Sequence, residues 1–134
     1  MRHLNKLQPL ALLLLRIGAG ALFFSHGWAK LANSAGAMKM FTGMGLPGWL
    51  GIVAGAIESA GGLFFVLGLF TRFTGLILFI EMCFAISMVH WKHAPWWDVK
   101  TYEPALALCV ISLALASFGP GVVSIDYALF RDRS

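Results

Sequence analysis

Five ionisable side chains, Arg16, His26, Glu58, Glu81 and His90, stand inside or at the rims of apolar runs long enough to cross a bilayer. A charged group held in hydrocarbon costs at least about 2.5 kcal/mol even on insertion scales, so such residues face a protein interior. There they mark a ligand, ion or redox site, or else an internal salt bridge that only fixes helix packing. A neutral imidazole can hydrogen-bond a quinone carbonyl and relay its protons, and a carboxylate can accept protons from a quinol. His26, Glu58 and Glu103 are the candidate catalytic residues on these grounds, with His26, Lys30, Glu58 and His90 as candidate cofactor ligands. Haem ligated by His26 and His90 is the disfavoured alternative.

Four helices must position these groups, over residues 9–31, 49–70, 73–91 and 103–118. A crossing helix needs about 20 apolar residues, so the fourth is short. The expected fold is an all-α antiparallel bundle of four transmembrane helices forming one domain over residues 1–134, with a short amphipathic interfacial helix between the first two spans. That interfacial segment lies within residues 32–48 and carries Met38, Met40, Phe41 and Met44, for which surface packing is favoured over a copper site. Only Thr71 and Arg72 separate the second and third spans, which predicts a tight hairpin. Residues 124–129 are expected to lie back along the membrane surface.

Composition agrees, because a chain of 134 residues that is 59% hydrophobic has too little interior to hide so much apolar surface from water. The net charge of +4 reports topology and excludes no membrane role; nucleic acid is not an expected partner. Arg2, Lys6, Arg72, Arg131 and Arg133 outnumber Lys30, Lys39, Lys92 and Lys100 on the other side, which favours cytoplasmic termini. Trp91, Trp96, Trp97 and Tyr102 then form an interfacial belt outside.

At a helical rise of about 1.5 Å per residue, Arg16 lies about 10 Å and Glu81 about 12 Å in from the terminus side. Glu58 lies near the middle of its span, within reach of a guanidinium, so Arg16, Glu58 and Glu81 are expected to form a buried charge cluster. Arg16, Gly20, Phe23 and Gly27 share one helical stripe, and Gly51, Gly55, Glu58 and Gly62 share another. Gly51 and Gly55 also fit GxxxG, a signal for a homodimer face. His26 and Lys30 form a second group near the outer boundary, where His90 and Glu103 should arrive. Glu81 and His90, nine residues apart, cannot both point inward without a bend in the helix. Cys83 and Cys109 stand in separate apolar segments without CxxC spacing, so the sequence offers neither a dithiol motif nor a metal site, and inert core thiols are expected.

Several blocks in order resemble the DoxX family over nearly the whole chain. They are RIGAGALFFSHGWAKL from residue 16, the MGLPG turn, ESAGG and LGLFTR from residue 58, EMCFAISMVH from residue 81, EPALAL, and GPGVVSID. The resemblance implies a small four-helix bacterial inner-membrane protein, named for similarity to a subunit of a thiosulfate:quinone oxidoreductase. Carried over by position, the recurring polar residues are Arg16, His26, Lys30, Glu58, Arg72, Glu81, His90 and Glu103. With no Rossmann glycine pattern or iron–sulfur spacing, an autonomous oxidoreductase is not expected. The leading expectation is a subunit that binds an isoprenoid quinone and exchanges electrons with a partner redox protein in a complex concerned with thiol, sulfur or oxidative-stress chemistry. The alternative is a noncatalytic membrane scaffold or small-molecule permeation component, and a homo-oligomer is compatible with either.

Overall fold

The computed structural model describes residues 2–90, 95 and 97–131, with the backbone alone for residues 89, 90 and 101. A short α1 (Arg2–Asn5) precedes the first long helix, α2 (Gln8–Ala32), whose opening turn contains Pro9, a residue that fits there because the first amides have no helical acceptor. Asn33 ends α2 and starts α3 (Ser34–Gly43), its side-chain oxygen accepting from the Gly36 amide at 3.2 Å. Then come α4 (Trp49–Leu67), α5 (Thr71–Ala85), a π-helical turn (Ile86–His90), a 3-10 turn (Val99–Tyr102), α6 (Glu103–Phe118) and α7 (Ile125–Phe130). No strand occurs among the described residues.

Among the described residues three helices are long and apolar enough to cross a membrane, Gln8–Ala32, Trp49–Leu67 and Thr71–Met88, and Glu103–Phe118 is a shorter apolar helix. Together they make the expected four-helix membrane bundle, with α3 as the interfacial helix. Its outer face is apolar, with Leu14, Trp28, Leu63, Ile80 and Val110 exposed, while Arg16 and Glu58 are buried. This inverted distribution suits a chain whose solvent is lipid.

Close packing is concentrated in two pairs, α2 with α4 and α5 with α6; α4 and α5 meet less closely. Glycine is the cause in both pairs. A Cβ on Gly62 would come within 2.5 Å of Gly20 O and the Phe24 amide nitrogen, so backbone touches backbone there. A Cβ on Gly75 of α5 would come within 2.7 Å of Ser112 O and 2.8 Å of the Ala116 amide nitrogen on α6. The expected stripes on α2 and α4 are indeed the buried ones. Gly51 and Gly55, read as a homodimer signal, are used within the chain. Their faces lie against Ala37 and Phe41 of α3 and against Lys30 and Gly27 of α2.

The hairpin between the second and third spans is placed differently from expectation. Gly68 adopts a left-handed conformation (φ 68°) and closes α4 through amide bonds from Gly68 to Phe65 O and from Leu69 to Phe64 O. Phe70, at φ 49°, then starts α5, so Thr71 and Arg72 are its first turn and not the loop. Hydropathy misses this break because Leu69 and Phe70 are as apolar as the helices they separate. Residues 125–130, within the segment expected to lie back along the membrane surface, form a helix capped by Ser124, whose oxygen accepts from the Tyr127 amide at 3.1 Å. Tyr102, expected in an interfacial belt, is a core residue with 6% exposure, whereas Trp97 is exposed; Trp91, Trp96, Lys92 and Arg133 lie outside the described residues.

Candidate functional site

The expected cluster of Arg16, Glu58 and Glu81 divides into two sites. Arg16, 1% exposed, gives its terminal nitrogens to Phe65 O at the end of α4 and to Val123 O, with Asp126 as the facing negative charge. Asp126 is itself bound at both oxygens: Oδ1 accepts from the Phe70 amide at 2.6 Å and Oδ2 from the Thr71 amide at 2.8 Å. Its own amide donates to Gly68 O at 2.8 Å. A carboxylate at the start of α5 satisfies amides that have no intrahelical acceptor and meets the positive end of the helix dipole. Arg72 does the converse at the end of α6, donating to Ser117 O at 2.6 Å. This end of the bundle is a closed knot of charge and backbone. Asp126, which sequence reasoning did not single out, is its centre, and the SID segment was the available signal.

Glu58 has another partner. Its carboxylate, 3% exposed, forms an ion pair with Lys30, whose side chain is 25% exposed in the last turn of α2. Gly27 and Gly55 permit this, since the α2 and α4 backbones approach so closely here that a Cβ on Gly27 would lie 2.6 Å from Gly55 O. Glu81 approaches from α5 and lies within electrostatic reach of both Glu58 and Lys30. Its Oε2 is buried without a hydrogen-bond partner among the described residues.

These three side chains line a cavity of about 590 Å³ between α3, α4 and α5. The remaining wall is apolar and adaptable, with Met40, Met44 and Met82 among aliphatic and aromatic groups. Val53, Ile80 and Phe84, which also line it, are exposed on the outer surface, so the cavity opens sideways toward lipid. It lies at the α4–α5 contact, which is looser than those of α2 with α4 and of α5 with α6. A volume of this size matches ordinary small-molecule and cofactor pockets, which combine apolar walls with a few convergent polar groups.

The second expected group, His26 with Lys30, His90 and Glu103, is not brought together by the described side chains. His26 is exposed and its Nδ1 lies 2.7 Å from Leu22 O on its own helix. Glu103 is exposed in the first turn of α6, and neither residue lines the cavity. The His90 side chain lies outside the described residues; a π-helical turn begins at Ile86, between Glu81 and His90. Among the described residues no group of three or more histidine, cysteine or acidic residues could hold a metal ion.

Cys83 and Cys109, expected to be isolated, are neighbours: their sulfurs are 3.5 Å apart across the α5–α6 contact. Spacing along the chain carried no sign of this because the two residues meet only when antiparallel helices cross.

The DoxX family model matches residues 11–91, the part of the chain that holds α2 to α5 with the cavity they surround. The chain belongs to the DoxX family. This DoxX protein is 33% identical over 130 residues to a Bacillus subtilis (strain 168) protein named "Putative oxidoreductase CatD", covering 97% of this chain and 95% of that one. It is 30% identical over 126 residues to "Inner membrane protein YqjF" of Escherichia coli (strain K12), covering 94% and 97%. An uncharacterised Haemophilus influenzae protein is 33% identical over 135 residues, covering 98% of this chain and 99% of its own. No solved structure gives a significant match.

Proposed function

We propose that this DoxX protein is a quinone-linked subunit of an inner-membrane oxidoreductase complex, with termini in the cytoplasm, and that the cavity at Lys30, Glu58 and Glu81 receives the quinone. The observation that carries this reading is the cavity itself: about 590 Å³, apolar, open toward the bilayer, with an ion pair and an unpartnered carboxylate oxygen in its wall. An isoprenoid quinone is apolar along its tail and polar at its two carbonyls, so the donor and acceptor set fits it. The name of the Bacillus subtilis relative is in keeping with redox chemistry.

When bound, a quinone supplies two-electron, two-proton chemistry that side chains lack. The protein's own part is to hold and supply protons. Lys30 fixes the Glu58 carboxylate and presents its remaining N–H donors toward a carbonyl. The Glu81 carboxyl group, in the cavity wall, would accept a hydrogen bond or a proton there. A partner redox protein carries the electrons onward. In this reading His26 and Glu103 stand outside the binding cavity.

The test is to purify the full chain in mild detergent, extract it, and compare quinone content by mass spectrometry with an unrelated four-helix membrane protein prepared identically. Titration with decylubiquinone of wild type, Glu58→Gln and Glu81→Gln follows. Near-stoichiometric enrichment, with binding lost in variants that remain folded, is the expected result. No enrichment together with unchanged titrations would overturn the proposal, and loss of folding in both variants would favour the scaffold reading.

A further inference from the structure

We propose that Cys83 and Cys109 form a dithiol–disulfide couple across the α5–α6 interface, oxidised by quinone dissolved in the bilayer. These are the only two cysteines in the chain. Their sulfurs, 3.5 Å apart, lie about 1.5 Å beyond bonding distance, a disulfide bond being about 2.05 Å long. The helices that carry them are drawn together by Gly75 against Ser112 and Ala116, so little backbone movement is needed. The π-helical turn begins at Ile86, three residues beyond Cys83, and π-turns are places where a helix departs from its regular register, often at functional sites.

Access is asymmetric. Cys83 is exposed on the lipid-facing side of α5, whereas Cys109 is buried behind it. An oxidant therefore reaches Cys83 first, and one that partitions into lipid has the shortest route. In the balanced step both S–H bonds break and one S–S bond forms; the two electrons and two protons released convert one quinone to its quinol. The couple is separate from the cavity, because Cys83 follows Glu81 by two residues and so points to the opposite side of α5. Oxidation ties the cavity wall formed by Glu81, Met82 and Phe84 to α6.

The full chain in lipid nanodiscs is treated with decylubiquinone, or with diamide as a membrane-permeant thiol oxidant. It is then denatured in detergent and labelled with a maleimide polymer that adds mass at each free thiol. The expected result is loss of both labels in the monomer, loss of two hydrogens by intact-protein mass spectrometry, and recovery of both labels with dithiothreitol. Cys83→Ala and Cys109→Ala should each retain one label under the same treatment. Glu58→Gln should still lose both labels, which makes failure here distinguishable from failure of the cavity to bind quinone. Both thiols labelled after decylubiquinone, whether or not diamide oxidises them, would overturn the proposal. So would oxidation only as a disulfide-linked dimer.

Discussion

At the end of the bundle near the termini, Arg16 and Asp126 are closed in by backbone, whereas at the cavity Lys30, Glu58 and Glu81 stand around open space. Both regions bury charge in a chain surrounded by lipid. In the first, the guanidinium meets carbonyls and the carboxylate meets amides, so the charges finish helix ends that would otherwise be left unpaired. In the second, an ion pair and a further carboxyl group border an open cavity; a buried polar atom without a partner among the described residues occurs in both regions, Arg16 Nε in the first and Glu81 Oε2 in the second. The contrast separates charge closed in by backbone groups from charge that borders open space. An intramembrane ionisable residue is a pointer to function only after its partners have been traced.

Substitutions should break the two regions in different ways. Asp126→Ala removes acceptors from two amides and the charge facing Arg16, and a loss of about 3–5 kcal/mol in unfolding free energy in mixed micelles is expected. Combining it with Arg16→Ala should cost less than the sum, since the two belong to one network. Gly62→Leu acts on the seam between the regions, forcing a side chain against Gly20 and Phe24, with an expected loss of about 1–3 kcal/mol. It should also weaken quinone binding, because the Lys30–Glu58 pair spans the same two helices.

Glu58→Gln sharpens the contrast. Lys30 is already a quarter exposed, so stability should fall by no more than about 1 kcal/mol. The decylubiquinone Kd should nevertheless rise about tenfold, equivalent to about 1.4 kcal/mol. A stability loss as large as that of Asp126→Ala would place Glu58 in the structural class. His26→Ala should do least, shifting stability by less than about 0.5 kcal/mol and leaving the Kd unchanged, since the side chain is exposed and, among the described residues, bonded only within α2.

Much of the architecture was legible because helical period and hydrophobic length are local properties. The buried faces of α2 and α4 followed from the spacing of Arg16, Gly20, Phe23 and Gly27 and of Gly51, Gly55, Glu58 and Gly62. Depth along the helices also matched Arg16 with Glu81 and put Glu58 within reach of a guanidinium. It could not name their partners, because depth along a helix says nothing about rotation around the bundle or about segments outside it. Asp126 sits beyond a glycine-rich break, in a helix too short to show a period. The cysteine pair and the α4–α5 turn escaped for related reasons: one exists only through helix crossing, and the other is written in the φ angles of Gly68 and Phe70 rather than in polarity.

The Arg16–Val123 bond joins residues 107 positions apart, with Asp126 close behind. Chains are synthesised from the N-terminus, so the first span enters the membrane with its guanidinium before the segment that answers it has been made. Arg16 therefore gains its full set of partners last in the order of synthesis. Until residues 123–126 have been made, the guanidinium has the carbonyl of Phe65 but neither Val123 O nor the charge of Asp126, so this end of the bundle is completed only by the last helix.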